Sequence, residues 1–211
     1  MSTKLVLSTY DVLWQDNQDV AEQSLKQPFL QHMQSGDLQA DDYMKFMIQD
    51  INYLVKVTEM LEEMSKRNME NDIYLFMVDR YKSYKKYQKE TLANFHLGSV
   101  PDVKPIPAMA KYLSDYRTIM NEEEAIFFVV ALLSCEGLRM WLAEQLKESK
   151  SNPYLTWKFV NIYSHPADHF RKLLDDHLNS TELIQKASVI FRQFMENEDS
   201  VFRASLLPIP L

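Results

Sequence analysis

Asp50, Cys135 and Glu198 carry chemistry-capable side chains, and each falls among apolar neighbours at helical spacing. Asp50 lies three residues after Met47 and four before Leu54, within the series Tyr43, Met47, Leu54, Val57, Leu61 and Met64. A carboxylate on such a stripe faces the interior, where it has to be paired or hydrogen-bonded. Tyr53 shares that face and can hold the same ligand. A buried aspartate bonded to a neighbouring tyrosine or to a helix end satisfies the same pattern.

Cys135 is the sole cysteine and sits in the stripe Phe128, Leu132, Leu138 and Leu142. It reads either as a small buried hydrophobe or as a nucleophile, and the nucleophile requires a nearby base, cation or helix N-terminus. Glu198 lies in the stripe Ala187, Phe191, Phe194, Val201, Phe202 and Ser205, while Glu196 and Asp199 point elsewhere. A desolvated glutamate suits general acid/base work. It is equally consistent with a buried ion pair to an arginine such as Arg139 or Arg203. The histidines give a weaker pattern. His165, Asp168 and His169 share a helix face, but no Glu-x-x-His partner spacing accompanies them or His32, His96 and His177. No metal is expected, and His32 as an axial haem ligand has no stronger support.

The elements that must position these groups are helices. The chain contains only 3 glycines, where average usage gives about 15. Glycine-loop nucleotide folds and turn-rich β-sandwiches are thereby excluded. Apolar residues recur with the period of amphipathic helices between prolines at positions 28, 101, 105, 107, 153, 166, 208 and 210. The pattern predicts helices over 9–26, 28–35, 40–67, 71–96, 106–120, 122–147, 152–163, 166–178 and 181–205, with a loop at 98–105. Ser35-Gly36 supplies a stop, Asn121 a cap, and Ser180 or Thr181 the start of the last helix. The expected architecture is all-α, a single domain over 1–211. The run Ile126 to Leu133 is apolar on all sides, as in a central helix wrapped by others, and ligand sites then lie between facing helices.

A single cysteine rules out an intramolecular disulfide framework. A net charge of −7 opposes general nucleic-acid binding. No signal pattern opens the sequence, and no apolar run approaches the ~18 residues of a membrane span. The expected setting is the cytoplasm, without nucleic-acid or membrane partners.

Several segments together resemble the TenA family (thiaminase II, aminopyrimidine aminohydrolase) of the heme-oxygenase-like fold. They are Trp14, Gln27-Pro28-Phe29-Leu30, Gly36-Asp37-Leu38, and Phe46-Met47-Ile48-Gln49-Asp50-Ile51-Asn52-Tyr53-Leu54. Gln27 stands where the family usually has histidine. Ala131 to Cys135 is similar to the family's nucleophile segment, and Pro107 to Tyr112 to a segment with an active-site tyrosine. Tyr154-x-x-Trp157 with Tyr163 resembles another such segment, and Glu198 near Phe202 resembles the C-terminal glutamate before an aromatic pair. The similarity spans nearly the whole chain at compatible spacing.

The resemblance implies a multi-helical bundle with a central buried pocket and a homo-oligomer. In it Cys135 attacks an electron-poor carbon of a substituted pyrimidine, and Glu198 moves protons for the leaving amine or thiazole. Asp50 bonds the ring nitrogen and exocyclic amine; Tyr53, Tyr112 and Tyr163 stack on the ring or bond the thiol and substrate. No cofactor is implied. Gly137 and Arg139 stand where aromatic residues are usual, and Val201 replaces another. Arg139 can pair with Glu136 or Glu198, lower the thiol pKa, or bind an anionic ligand. Three functions follow: a TenA-like hydrolase, a non-catalytic binding or regulatory protein on the same fold, and a metal- or haem-dependent oxidase.

Overall fold

The computed structural model describes residues 7–97, 104–147 and 151–206. The chain-end prolines at 208 and 210, and the expected loop's Gly98 and Pro101, lie outside the described residues. Ten α-helices and no strand occur among the described residues. The chain divides into two compact units, with one division between Asp37 and Leu38 and two inside helices, between Phe128 and Val129 and between Asp199 and Ser200.

The first unit comprises the chain through residue 37 and residues 129–199. It opens with α1 (Thr9–Asp16), α2 (Gln18–Leu25) and α3 (Pro28–Ser35). The expected single helix over 9–26 is broken at Asn17, for a local reason. The Asn17 side-chain amide donates to the Leu13 carbonyl at 2.8 Å and to Ser188 Oγ at 3.2 Å. It thus takes the carbonyl that an unbroken helix would offer to the Asn17 N–H, which bonds Trp14 O instead. α3 begins with Pro28 at its first position and stops at Gly36, whose φ of 80° only glycine adopts cheaply. The Asn152 amide completes that end by donating to the carbonyls of Met33 and Gln34, both at 2.9 Å.

The same unit holds α8 (Leu155–Ile162), α9 (Pro166–His177) and the greater parts of α7 (Ala125–Gln145) and α10 (Thr181–Ala204). α1 packs on α9, and polar contacts fix its start. Thr9 N–H donates to Asp175 at 2.7 Å, and Arg171 donates to Asp11 at 2.6 Å and also to Ser8. Beyond α7, the Leu146 carbonyl accepts from the buried Lys158 ammonium at 2.7 Å. Ser180 Oγ accepts the Leu183 N–H and starts α10 as expected.

The second unit contains residues 38–128 and the chain from Ser200 onward. α4 (Ala40–Met64) packs against both α5 (Asn71–Asn94) and α6 (Pro107–Glu122). Asn121 is not a cap; it lies in the last turn of α6, and its carboxamide and the Met120 carbonyl accept from Arg67. Gln49 fastens the start of α6 to α4, accepting the Ile106 N–H at 3.0 Å and donating to Lys104 O at 3.4 Å. Phe46 and Phe202 stack with centroids 5.7 Å apart. Of the α5 aromatics, Tyr74 and Tyr87 are exposed.

α7 carries the buried sequence Ile126 to Cys135 with every side chain inside, which matches the all-round apolar run. Contrary to the sequence expectation, this 21-residue helix, whose most apolar window has a mean hydropathy of 1.8, is long and apolar enough to cross a membrane. The difference arises because a few small or polar residues do not cancel a long apolar stretch. With 78% of its most apolar window buried, α7 has the burial of a core helix.

Candidate functional site

α7 and α10 bring the sole cysteine, a glutamate and an arginine into one buried cluster within the first unit. Cys135 and Arg139 are one helical turn apart on α7, so they share a face. Glu198, on α10, reaches both. Arg139 Nε donates to Glu198 Oε1 at 2.7 Å, and Nη2 stands 2.7 Å from the same oxygen. The Cys135 thiol is directed at the other oxygen, Oε2, over 4.0 Å. The Glu198 side chain has 0% exposure and that of Arg139 has 11%. Of the two acidic partners considered for Arg139, Glu198 is bonded to it.

The electrostatics of this arrangement follow from its burial. A carboxylate removed from water needs a compensating cation and good hydrogen-bond geometry. Arg139 supplies both, and leaves one oxygen facing the thiol. Cys135 itself is 3% exposed and lies between Leu132 and Leu138 on the apolar face of α7. A thiol beside a carboxylate that can accept its proton is an arrangement from which a nucleophile–base pair can be built.

The first unit also holds an aromatic group that includes α7 and α10 residues. Trp14 of α1 packs against Trp141 and Phe191, with ring centroids 6.2 and 6.3 Å away. A Cβ built on Gly137 would lie 3.7 Å from the Trp14 ring, so the missing side chain at 137 is where Trp14 rests on α7. Asp199, expected to point away from the apolar side, is buried instead. Its carboxylate accepts from Gln27 at 2.7 Å and from Gln23 at 3.4 Å. Gln27, in the place of the usual family histidine, is thereby engaged by the residue next to Glu198. Glu196 points outward and pairs with Arg192, as expected. The predicted Tyr163 ends α8 with 70% exposure, on the surface and not in the buried cluster.

The second unit holds the other predicted residues. Asp50, Tyr53 and Tyr112 are buried, the first two on α4 and the third on α6. The rings of Tyr53 and Tyr112 are 5.3 Å apart, and Tyr53 also meets Tyr116, hydroxyl to hydroxyl at 2.9 Å. Tyr116 was not singled out from the sequence. Its signal is position: it follows Tyr112 by four residues and so repeats the inward face of α6. Phe128 closes this cluster edge-on against Tyr116, with centroids 5.7 Å apart.

No protein-family model matches the sequence, and no curated protein matches it either. Solved structures do match, among them several described as TenA proteins. A TenA homologue from P. horikoshii OT3 is 20% identical, with a TM-score of 0.82 over 94% of this chain and 98% of that one. A protein from Silicibacter sp. TM1040, described as a TenA family transcription regulator, is 13% identical. Its TM-score is 0.80, over 95% of this chain and 97% of that one. A third, from Sulfolobus solfataricus P2, is described provisionally as a TenA-like thiaminase. It is 16% identical, with a TM-score of 0.75 over 95% of this chain and 97% of that one. The chain has the helical-bundle fold of these proteins, along nearly its whole length.

Proposed function

We propose that the protein is a TenA-like hydrolase acting on an aminopyrimidine or a thiamin degradation product. The observation that carries this reading is the buried cluster in which Glu198 lies between Arg139 and the sole cysteine. Cys135 sulfur adds to an electron-poor carbon of the pyrimidine, the amine departs with a proton, and water then displaces the sulfur to leave a hydroxyl. Glu198 carries the protons in both halves of the cycle. The resemblance in sequence adds Asp50 as the partner of the ring nitrogen and exocyclic amine, with Tyr53, Tyr112 and Tyr163 as ring-binding residues. A cytoplasmic homo-oligomer belongs to the same reading, and no metal or cofactor enters it.

The test is ammonia release from an aminomethyl-aminopyrimidine by the purified protein. The wild type releases ammonia, and Cys135→Ser lowers turnover by about a thousandfold or more, as removal of an activated nucleophile does. A Cys135→Ser variant with wild-type turnover removes the nucleophile assignment.

A second reading is a binding or regulatory protein on the same scaffold. It draws on the relative described as a transcription regulator and on the arginine standing where an aromatic residue is usual. It predicts a rise in melting temperature with the same pyrimidines and no ammonia.

A further inference from the structure

Glu198 presents its two oxygens to different partners. Oε1 takes the Arg139 Nε–H at 2.7 Å, with Nη2 at the same distance, and Oε2 faces the Cys135 sulfur at 4.0 Å. Both partners come from one face of α7, so the direction in which the guanidinium holds the carboxylate also decides which oxygen the thiol meets. A planar guanidinium fixes that direction far better than a rotating ammonium would. It also decides what Glu198 is at rest. A carboxyl group with no exposure and no cation rests protonated, because desolvation disfavours its charge; beside a guanidinium it rests as a carboxylate.

We infer that Arg139 is a positioning residue, holding Glu198 as a resting carboxylate with Oε2 turned to Cys135, so that Glu198 accepts the thiol proton and is not the resting acid of the site. As sulfur closes on the electrophilic carbon, the S–H bond breaks and its electron pair stays on sulfur. The proton passes to Oε2. Glu198, now neutral, returns that proton to the leaving amine, and the ion pair with Arg139 is restored. The 4.0 Å separation shortens to hydrogen-bond length for the transfer, a change typical of sites that tighten on binding. In this account Arg139 touches the base and not the substrate, which differs from the substrate-binding role expected from the sequence. The inference rests on the reading of Cys135 as nucleophile.

The single cysteine makes a direct test possible, because every thiol alkylation on the chain, read at the Cys135 peptide, is at Cys135. The probe is iodoacetamide, which is neutral, so its rate reads the thiol and not steering of the reagent by charge. Arg139→Gln and Glu198→Gln each slow alkylation by at least about tenfold, and Arg139→Lys, which restores the charge but not the fixed direction, recovers only a minor part of that loss. The double variant Arg139→Gln/Glu198→Gln is no slower than either single, since the two act as one unit. An infrared difference spectrum gives a readout that a merely structural role would leave unchanged. Arg139→Gln gains a protonated-carboxyl band that disappears in the double variant.

Arg139→Gln alkylating at the wild-type rate with a cooperative melt overturns the inference. So does a wild-type protein that is not alkylated at all. Where Arg139→Gln does not fold, the double variant carries the test, and its alkylation at the wild-type rate is equally fatal. Failure here is distinct from failure of the proposed function. The full alkylation pattern without ammonia release removes the aminopyrimidine substrate and leaves the role of Arg139. Ammonia release with unchanged kcat in Arg139→Gln removes that role and leaves the hydrolase.

Discussion

Replacing Arg139 by methionine should cost far more stability than its place near the surface of the cluster suggests. The guanidinium is 11% exposed, but the carboxylate that it compensates has no exposure at all. Removing the cation takes the guanidinium from Oε1, and the Cys135 thiol that faces Oε2 is a weak donor 4.0 Å away. The buried carboxylate then holds its charge at greater cost or takes up a proton. Breaking a buried pair in this way costs about 3–5 kcal/mol. For a chain of this size that loss lowers the melting temperature by about 6–20 °C. Glu198→Leu leaves Arg139 with some access to water, so its cost falls at the lower end of the same range. Arg139→Met/Glu198→Leu removes both charges, and its stability returns to within about 1 kcal/mol of the wild type. Urea unfolding of the four proteins, treated as a double-mutant cycle, gives the coupling directly. A loss below about 1 kcal/mol for Arg139→Met, or a double variant that loses the sum of the singles, refutes the reasoning.

Two further outcomes follow from local geometry. Gly137→Ala stabilises the protein by about 0.5–1 kcal/mol, as an alanine in a helix does. Its Cβ meets the Trp14 ring and a Leu133 methyl at 3.7 and 3.9 Å, ordinary contact distances, and a urea midpoint that falls shows strain instead. At the start of α1, the hydrogen bond from Arg171 holds the Asp11 carboxyl below the usual carboxylate range. A lowered folded-state pKa gives stability that is present above the unfolded pKa and lost as pH falls through the folded one. Asp11→Asn therefore costs under about 1 kcal/mol at pH 7, the pair being partly exposed. The gap between it and the wild type closes in acid, below about pH 4; a gap that widens in acid contradicts the assignment.

Much of this architecture was legible because helical periodicity reports burial. Asp50, Cys135 and Glu198 were placed inside by their apolar neighbours, and all three are buried. Arg139 stood out as an arginine where the resembled family usually has an aromatic residue, yet its partner could not be chosen. Glu136 is nearby in sequence and Glu198 is 59 positions away, and the bond to Glu198 exists only because the fold brings α10 to α7. The break at Asn17 was hidden for a related reason. An asparagine in a helical pattern declares itself a breaker only when its amide finds the Leu13 carbonyl and Ser188 together. Asp199 read as outward because its stripe position is polar, but the glutamines of α2 and the following turn draw it in. Tyr163, read as a ring-binding aromatic, stands 70% exposed at the end of α8.

The Gln49 clasp has a mechanical consequence. Its amide grips the backbone on both sides of Pro105, just before α6 begins, while Asp50 follows it on α4 and Tyr53 one turn later. A slip of α4 along its axis therefore drags the first turn of α6 with it, and the Tyr53–Tyr112–Tyr116 rings travel as a block. The acid and the tyrosines of the second unit thus behave as one solid part, in which a change of shape at Asp50 is felt at Tyr112 without bending either helix.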